Sequence, residues 1–378
     1  MAVIVVGAGV GGLTAALLLA RCGRRVTVLE RAPDPGRAGA ALALFPNGLS
    51  VLYGLGLRDA LREQAYATRS GAIRLGSHVV RADLPDFGGG LDHALVLTRA
   101  RLADVLLAAV RAEPRVTLRL GARAERAWPD GRVRVDGVDL RADLVIGADG
   151  VGSVVRGGGR FGVRRTPTST LTLRALVPGE PFRADAAEHW GAAGLAIGVP
   201  VGGGRSYLAL SAARGPLRAA MEHGDLDGVR RHASALLPGA DTAFAAIPSF
   251  DAFYRAPVER VRCRRWADGR LVLLGDAAHA MAPHLGQGAN GAILDAFALT
   301  VAPSLTAYER RRRATTTRLA LLADAYRRTA ETLTAPGVRH VRDRAVRAGH
   351  GATGAYLRLI QQDDPARVQA AVRSLPRG

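Results

Sequence analysis

The stretch from residue 271 to residue 296 combines an aspartate at the end of a predicted strand with a loop rich in glycine. An apolar run at residues 271–274 ends at Gly275 and Asp276, and a helical spacing of apolar residues begins at Asn290. Between them lie Pro283, Gly286, Gln287, Gly288 and Ala289. Asp276 can accept hydrogen bonds from ligand hydroxyl groups, and N–H groups at a helix N-terminus can donate to an anionic oxygen. The stretch therefore predicts a binding site for a ligand with hydroxyl and anionic groups.

A second ligand-binding pattern stands at the start of the chain. An apolar, β-branched strand is predicted at residues 3–6 and a helix at residues 13–24, and Glu30 ends the next predicted strand. The turn between the first strand and the helix follows the pattern GxGxxG and contains Gly7, Gly9, Val10, Gly11 and Gly12. Glycines allow a tight turn, close approach to a diphosphate and close helix packing, while an acidic residue can bind ribose hydroxyls. The pattern predicts a dinucleotide site.

Three further residues are candidates for the same ligand. Arg37 lies in a turn-rich loop, where a contact with the diphosphate and a solvated side chain are equally open. Arg99 stands in the first turn of a helix predicted at residues 98–112, an unfavourable place for a cation unless an anion lies nearby. Asp149 follows an apolar strand in the segment 143–150, which repeats the order of strand and aspartate found at Asp276.

The composition argues against several classes of function. The 378 residues carry a formal charge of +19, but every basic residue is arginine, the charge is scattered and aromatic residues make up only 5%. We therefore expect no nucleic-acid partner. The absence of lysine excludes Schiff-base chemistry and a P-loop. Cys22 and Cys263 form no metal-binding pattern, so we expect no metal site and a reducing cytoplasm. No apolar run reaches 18 residues, so no transmembrane span is expected.

Three motifs, in this order, resemble those of the single-component flavoprotein aromatic hydroxylases, the para-hydroxybenzoate hydroxylase-like FAD monooxygenases. They are GxGxxG with Glu30, DGVGSVVR at residues 149–156 and GDAAHAMAPHLGQGANG at residues 275–291. The resemblance covers most of the chain and extends to GAALALFPNG at residues 39–48, which is similar to the urate hydroxylase subgroup. It implies FAD as cofactor and NADPH or NADH as a transient electron donor. It also implies oxygen transfer from O₂, through a flavin hydroperoxide, to an aromatic or heteroaromatic small molecule.

The resemblance also implies roles for individual residues. The first glycine motif would hold the ADP half of FAD, with Arg31 beside the ribose, and the same assignment includes Ala124. Arg99 would meet the flavin side of the cofactor, and Asp276 would bind its ribityl chain and diphosphate region. The backbone of residues 286–290 would face the pyrimidine edge of the flavin ring.

Catalytic candidates lie on the substrate side. His284, directly before LGQG, can deprotonate a phenol or hydrogen-bond to it, and a solvent-facing loop histidine is an equally open alternative. Arg205 resembles the substrate-facing arginine of the urate hydroxylase subgroup, although that subgroup has an acidic residue where His284 stands, which argues against urate itself. Arg174 is a weaker candidate for binding an anionic substrate group. His279 is expected to be structural.

The expected fold class is α/β, with a Rossmann-like FAD-binding domain built on a parallel sheet, an inserted antiparallel-sheet substrate domain and C-terminal helices. The predicted boundaries are 1–72, 95–165 and 263–330 for the FAD-binding domain, 73–94 and 166–262 for the substrate-binding domain, and 331–378 for the C-terminal helical region. Asn47 is expected to cap the N-terminus of a helix. A monomer or a homodimer is expected.

Two other functions fit parts of the pattern. A flavin-dependent reductase of isoprenoid-type double bonds shares the cofactor motifs, and a non-catalytic flavin-binding protein needs no catalytic residue. A flavin-dependent halogenase is not expected, because the chain lacks the lysine and the WxWxIP segment of that class. Ligand-stimulated oxidation of NAD(P)H separates the monooxygenase from a passive binding protein.

Overall fold

The computed structural model describes residues 1–36, 41–182 and 188–376. In chain order the strands are β1 (Ala2–Val6), β2 (Arg25–Glu30), β3 (Ala41–Leu44), β4 (Tyr66–Thr68), β5 (Ser70–Leu75), β6 (His78–Asp83), β7 (Ala94–Thr98), β8 (Val116–Leu120), β9 (Ala124–Ala127), β10 (Arg132–Val135), β11 (Val138–Arg141), β12 (Leu144–Gly147), β13 (Val163–Pro178), β14 (Glu188–Trp190), β15 (Leu195–Pro200), β16 (Arg205–Ala212), β17 (Tyr254–Cys263), β18 (Ala267–Asp268) and β19 (Leu271–Leu273).

The helices alternate with these strands and then dominate the C-terminal part of the chain. They are α1 (Val10–Arg21), α2 (Pro46–Gly54), α3 (Arg58–Glu63), α4 (Arg99–Ala112), α5 (Val154–Gly157), α6 (Gly215–His223), α7 (Leu226–Ser234), α8 (Ala240–Ala245), α9 (Asp276–His279), α10 (Gln287–Val301), α11 (Leu305–Glu331), α12 (Pro336–Ala348), α13 (Thr353–Ile360) and α14 (Pro365–Arg373). In the part of the chain that the structure describes, no helix is both long enough and apolar enough to cross a membrane.

A parallel sheet forms the centre of the first part of the fold. Its strand order is β18-β19-β12-β1-β2-β8, and only β18 runs antiparallel to its neighbour. Residues 3–6 of β1 are at most 5% exposed because both faces of the sheet are covered, which explains their uninterrupted apolar sequence. Helices α1, α4 and α10 contribute to the same core. The predicted Rossmann-like fold with a parallel sheet is confirmed.

The second large sheet has seven strands in the order β17-β13-β16-β15-β14-β5-β6. Its pairs are antiparallel except for the parallel pair of β14 and β5, so the predicted antiparallel sheet is confirmed. One face is apolar and packs on α6, α7 and α8. Residues opposite each other on antiparallel strands share a face, so Thr172 and Ser211 lie together on the other face, as do Arg174 and Ala209.

Helix α11 links the two large sheets. Near its start, the Tyr308 hydroxyl donates a hydrogen bond to the carbonyl oxygen of Leu273 on β19 at 2.9 Å. At its last residue, Glu331 accepts hydrogen bonds from hydroxyl groups of the seven-stranded sheet. The helix is 27 residues long, so it spans about 40 Å. The helix therefore joins the polar face of the seven-stranded sheet to the β19 end of the parallel sheet.

The predicted role of Asn47 is wrong. Helix α2 begins at Pro46, and Phe45 rather than Asn47 occupies the capping position. Asn47 is 1% exposed, and its side-chain amide donates to the Oε1 atom of Gln287 at 2.9 Å. The side chain links α2 to α10, so a tertiary contact replaces the local capping bond that the sequence suggests.

Candidate active site

The loops that follow four parallel strands meet at one edge of the sheet. Strands β1, β2, β12 and β19 run parallel, and each is followed by a loop that carries predicted site residues. The carboxyl ends of parallel strands lie at the same edge, so the three motifs come together there. A Cβ atom placed on Gly7 would lie 2.5 Å from the carbonyl oxygen of Ala148, so the loops after β1 and β12 are in direct contact.

Gly12 and Gly9 have different roles in the first glycine loop: Gly12 allows close packing, and Gly9 leaves space for a ligand. A Cβ atom on Gly12 would lie 2.0 Å from the carbonyl oxygen of Gly7, so only glycine allows α1 to pack this closely on β1. Gly9 is exposed at the N-terminus of α1, and a Cβ atom there would come no closer to the protein than 4.0 Å, to the oxygen of Ala148. The space beside Gly9 is therefore open, at a helix N-terminus where an anion is favoured.

The residues between these glycines belong to the first turn of α1. Gly11 is buried, and a Cβ atom on it would meet the side chain of Leu274 at 2.7 Å and that of Ala292 at 3.0 Å. Val10 is half-buried and is the first residue of the helix. Gly11 thus allows α1 to pack on α10, which joins the first motif to the third.

Glu30 ends β2 beside the first glycine loop. Its two carboxylate oxygens accept hydrogen bonds from the backbone N–H groups of Ala8 at 2.8 Å and Ala32 at 2.9 Å. Each oxygen keeps a second lone pair that can accept from a ligand hydroxyl. Arg31, the next residue, is exposed at the same edge of the sheet.

Arg99 lies on the helix that packs against the loop after β2. Arg99 is exposed and is the first residue of α4. A Cβ atom on Gly36 would lie 2.4 Å from that of Ala103 on α4, so the loop after β2 lies against the start of this helix. Arg37 lies outside the described residues. Ala124 is buried at the start of β9.

Asp149 and Arg156 tie the second motif to the third. The Oδ2 atom of Asp149 accepts hydrogen bonds from the N–H groups of Val154 at 2.7 Å and Val155 at 3.2 Å. Burial raises the pKa of Asp149, and hydrogen bonds from Ser153 and the backbone offset only part of this increase. Its Oδ1 atom is buried and has no protein partner in the described part of the chain. The Arg156 guanidinium donates to the carbonyl oxygen of Ala277 on α9 at 2.8 Å.

Asp276 is exposed to solvent, and a buried ion-pair network holds the turn directly before it. It is the exposed first residue of α9, and its carboxylate makes no hydrogen bond or ion pair with the described residues. The N–H group of Gly275 donates to Oδ2 of the fully buried Asp295 at 2.9 Å. The same carboxylate pairs with His279 at 2.5 Å and with Arg312 at 2.7 Å. His279 therefore has the structural partner that was predicted for it.

The glycine loop before α10 presents backbone rather than side chains. Pro283 is exposed in the 3₁₀ turn Pro283–Leu285, and Gly286 adopts a left-handed conformation with φ of 63° at the start of α10. A Cβ atom on Gly288 would meet no protein atom within 4 Å, and Ala289 beside it is half-buried. No side chain caps this helix, so its first N–H groups are available to a ligand.

Gln287 and Asn290 have their side chains occupied by the protein. The Asn290 amide donates to the carbonyl oxygens of Ala43 at 2.9 Å and Gly286 at 2.8 Å, and its oxygen accepts from the Phe45 N–H at 3.0 Å. Gln287 is 1% exposed and accepts from Asn47. The backbone of both residues is available to a cofactor, and the Nε2 atom of Gln287 is buried without a hydrogen-bond partner among the described residues.

His284 is buried, and the alternative of a solvent-facing histidine is wrong. Its side chain is 3% exposed, and Nε2 lies 2.6 Å from Oε1 of Glu331, whose side chain is fully buried. The hydroxyl of Ser211 donates to the same Oε1 atom, and that of Thr170 donates to Oε2 at 2.5 Å. Burial alone would raise the pKa of Glu331, but the hydrogen bond from His284, its charge whenever the ring is protonated, and the two hydroxyls hold that pKa below its usual value.

Glu188 is a second acidic residue near His284, and neither it nor Glu331 could be identified from the sequence. The Glu188 carboxylate accepts hydrogen bonds from the Tyr326 hydroxyl at 2.6 Å and from the Trp190 indole N–H at 3.1 Å. Burial raises the pKa of Glu188, although these two hydrogen bonds, and the charge of His284 whenever its ring is protonated, act in the opposite direction. Glu188 and Glu331 come from elements distant in sequence, and no local motif marks either of them.

Arg205 and Arg174 lie on the polar face of the seven-stranded sheet. Arg205 is exposed at the first position of β16, six residues and about 20 Å of strand from Ser211. Arg205 and His284, both in the described region, share no hydrogen bond or ion pair. Arg174 is half-buried on β13, makes no ion pair with a described residue, and contributes with Arg99 to the electrostatic environment of Tyr207. A catalytic role for Arg205 remains a prediction.

The residues at this edge fit FAD. A diphosphate requires open space and N–H donors, which the N-termini of α1 and α10 supply beside Gly9 and Gly288. Ribose and ribityl hydroxyls require acceptors, which the carboxylates of Glu30 and Asp276 supply. The donors and acceptors lie on different loops of one sheet edge, as an extended cofactor requires.

The chain belongs to the family of proteins with an FAD binding domain, whose family model matches residues 1–319. It is an FAD-dependent monooxygenase of the para-hydroxybenzoate hydroxylase-like class, which confirms the resemblance inferred from the three motifs. The comparisons favour neither the isoprenoid reductase nor the non-catalytic flavin-binding protein.

Curated relatives and solved structures agree on this class. The chain is 39% identical over 320 residues to 3-amino-4-hydroxybenzoate 2-monooxygenase of Streptomyces cremeus, which covers 78% of this chain and 76% of that protein. It is 30% identical over 319 residues to 3-hydroxybenzoate 6-hydroxylase of Klebsiella oxytoca, covering 79% of each. The structure of 2-methyl-3-hydroxypyridine-5-carboxylic acid oxygenase in its tetrameric form matches with a TM-score of 0.80 and 28% identity, over 97% of both chains.

Proposed function

We propose that this monooxygenase uses NAD(P)H and O₂ to hydroxylate an aromatic or heteroaromatic small molecule that already carries a ring hydroxyl group. The proposal rests on three groups that lie together in the third motif, residues 275–291. The exposed, unpartnered carboxylate of Asp276 and the open N-terminus of α10 flank the buried imidazole of His284. A cofactor site and a residue able to bind a phenol thus adjoin each other.

The proposed cofactor contacts follow from the open donors and acceptors. Backbone N–H groups at Gly9, Val10 and Gly288 would bind anionic oxygens, and Glu30 and Asp276 would accept from hydroxyl groups. Bound FAD would supply the redox chemistry, taking electrons from NAD(P)H and activating O₂. The protein would hold the reacting ring in position and keep water from it.

The polar face of the seven-stranded sheet is the proposed substrate side. It is connected to His284 through Ser211 and Glu331, and it carries Arg174, whose guanidinium forms no ion pair with a described residue and can bind an anionic substituent. Three relatives act, by their names, on 3-amino-4-hydroxybenzoate, 3-hydroxybenzoate and 2-methyl-3-hydroxypyridine-5-carboxylic acid. Each of these compounds combines a ring hydroxyl with a carboxylate, which supports the same class of substrate for this chain.

The proposal is tested with a panel of ring compounds and the FAD-loaded protein. Oxygen uptake and oxidation of NADPH or NADH are measured with these three compounds, with 4-nitrophenol, with hydroxylated purines and polycyclic phenols, and with benzoate as the matched compound without a hydroxyl. At least one hydroxylated compound should increase both rates severalfold and give a product that contains one oxygen atom from ¹⁸O₂. Oxidation of NAD(P)H without oxygen incorporation would favour a reductase, and no stimulation by any compound would favour a passive flavin-binding protein.

Replacing Asp276 with asparagine should weaken FAD binding without unfolding the protein. The carboxylate is exposed and makes no hydrogen bond or ion pair with the described residues, so its loss leaves the described hydrogen bonds intact. Loss of charge-assisted hydrogen bonds costs about 1.5–3 kcal/mol, which corresponds to about 10- to 100-fold in affinity. Titration of FAD into FAD-free protein, followed by flavin fluorescence, measures the change. Asp251→Asn, at an exposed position in the 3₁₀ turn Phe250–Ala252 before β17, is the control, and equal affinities of the two variants would contradict the role of Asp276.

Three further features complete the proposal. The division at residues 1–72, 95–165 and 263–330 for the cofactor part, and 73–94 and 166–262 for the substrate part, assigns one large sheet to each part. The free thiols of Cys22 and Cys263 support a cytoplasmic protein. We infer a monomer or a homodimer.

A further inference from the structure

The hydrogen-bond partners of Glu331 fix the direction of every bond around His284. Arg327 can only donate, and its guanidinium lies 3.2 Å from Oγ1 of Thr170, so Thr170 accepts there. The Thr170 hydroxyl therefore gives its own hydrogen to Glu331 at 2.5 Å. Asp324 holds Arg327 from the other side, through two hydrogen bonds of 3.0 and 3.2 Å. Arg327 thus donates to Thr170, and Thr170 donates to the carboxylate of Glu331.

Glu331 accepts from Thr170 and Ser211, and its hydrogen bonds lower its pKa despite burial, so it is an ionised acceptor toward His284 as well. The Nε2 atom of His284, 2.6 Å away, must then carry the hydrogen. In a neutral imidazole this leaves Nδ1 with a free lone pair. The structure therefore selects one tautomer of His284 through a chain of donors that begins at Arg327.

The Nδ1 atom of His284 is the unusual group in this arrangement. It is buried and finds no hydrogen-bond partner among the described residues. An unsatisfied buried polar atom costs about 1–3 kcal/mol, so a partner from outside the chain is expected. The Nδ1 atom of His279 is also without a partner, but that ring stacks on Trp266 at 4.8 Å inside the core of the parallel sheet. His284 instead stands directly before the open glycine loop of α10.

We propose that Glu331 is a positioning residue that holds His284 with hydrogen on Nε2, so that Nδ1 accepts the hydroxyl hydrogen of the substrate. The inference rests on the proposed function, because it assigns the partner of Nδ1 to a phenolic substrate. In the step itself, the O–H bond of the phenol breaks and its proton forms an N–H bond at Nδ1. The electron pair stays on the oxygen and enriches the ring, and the resulting imidazolium is paired with Glu331. Glu331 lies beyond residues 1–319 matched by the family model.

The tautomer is tested by NMR of FAD-loaded protein labelled with ¹⁵N-histidine. The His284→Gln variant identifies the signals of His284 among the nine histidines. We expect a neutral ring with hydrogen on Nε2. In Glu331→Gln this preference should be lost, whereas Glu222→Gln, at an exposed ion pair on α6, should leave it unchanged. If Glu331→Gln does not fold, Thr170→Val provides the test. It removes the hydroxyl that orders the network and should weaken the preference for hydrogen on Nε2.

The role of Nδ1 is tested with 4-nitrophenol and its methyl ether, 4-nitroanisole. The phenol should bind as its coloured phenolate below the pH at which it ionises in water and should shift the Nδ1 signal, while the ether should do neither. Both effects should disappear in His284→Gln and fall about 10- to 100-fold in Glu331→Gln. A charged imidazolium or an Nδ1–H tautomer in the ligand-free protein would contradict the proposal, as would 4-nitrophenol failing to bind or leaving the ring unchanged. Failure of the proposed function would appear separately, as absence of turnover with an intact Nε2–H tautomer.

Discussion

Replacing Asp295 with asparagine should lower the free energy of unfolding by about 3–5 kcal/mol, because it leaves a buried guanidinium without its counter-charge. Asp295 is fully buried, and Arg312, at 1% exposure, donates to it at 2.7 Å. The remaining bonds of Arg312, to the carbonyl oxygen of Gly291 at 3.3 Å and to Gln362 at 2.8 Å, are to neutral groups. They cannot replace the lost charge.

The same substitution should also weaken FAD binding. Asp295 accepts the N–H group of Gly275, the residue directly before Asp276. An asparagine that turns its amide nitrogen toward Gly275 would place two donors against each other and loosen this turn. We therefore expect Asp295→Asn to lose both stability and cofactor, whereas Asp276→Asn should lose only cofactor.

The effect of Asp295 on stability should depend on pH in a defined direction. Burial would raise the pKa of Asp295, but the charges of His279 and Arg312 and their hydrogen bonds hold it far below the usual value. A carboxyl with a lowered folded-state pKa stabilises the fold above its unfolded pKa, near 3.9, and loses that contribution as pH falls toward the folded value. The difference between wild type and Asp295→Asn should therefore be complete above about pH 5 and shrink in stronger acid.

Denaturant unfolding of FAD-free protein at pH 7 and at several acidic pH values measures this difference. Asp241→Asn removes an exposed carboxylate paired with Arg230 and serves as the control, with an expected change below about 1 kcal/mol. If Asp295→Asn were no less stable than Asp241→Asn at pH 7, the buried ion pair would not hold the third motif in place.

The parts of the fold that local chemistry determines could be predicted from the sequence. Apolar β-branched runs and glycine spacing identify β1, β12 and β19 and the loops that follow them. Both site helices nevertheless begin three residues earlier than predicted, α1 at Val10 and α10 at Gln287. In each case a glycine in the first turn suggested a loop. Tertiary packing, such as that of Gly11 on Ala292, overrides the low helix propensity of glycine.

The substrate side could not be predicted because its partners are remote in sequence. Glu331 is 47 residues from His284 and 120 from Ser211, and in the sequence it reads as one more polar residue at the end of a charged helix. Asn290 and Gln287 belong to the loop whose backbone is expected to face the flavin. Their side chains join neighbouring segments of the chain, and no local pattern in the sequence indicates these contacts.

The second and third glycines of the GxGxxG pattern, Gly9 and Gly12, should respond in different ways to alanine. In Gly12→Ala the new methyl group would lie 2.0 Å from the carbonyl oxygen of Gly7 and 3.2 Å from the Cβ atom of Ala148. The oxygen belongs to backbone, so α1 would have to move away from the sheet. We expect a loss of about 3 kcal/mol or more in the free energy of unfolding, already in FAD-free protein.

In Gly9→Ala the fold should be preserved and the cofactor lost. Gly9 has φ of −71° and ψ of 175°, which alanine adopts without strain, and its methyl group would meet no protein atom closer than 4.0 Å. Glycine is preferred to alanine at a helix N-cap, but the exchange costs only about 1 kcal/mol, well below the loss expected for Gly12→Ala. The methyl group would, however, occupy the space through which a diphosphate approaches the N-terminus of α1, and such overpacking weakens affinity by about 10- to 100-fold.

The pair of variants separates packing from ligand binding at one turn. FAD-free Gly12→Ala should have a much lower free energy of unfolding than wild type and Gly9→Ala. Titration with FAD should show weaker binding by Gly9→Ala than by wild type. Wild-type FAD affinity in Gly9→Ala would mean that the diphosphate does not approach this glycine, and the open space at the N-terminus of α1 would then need another explanation. Equal destabilisation of the two FAD-free variants would instead mean that Gly9, like Gly12, is required for packing.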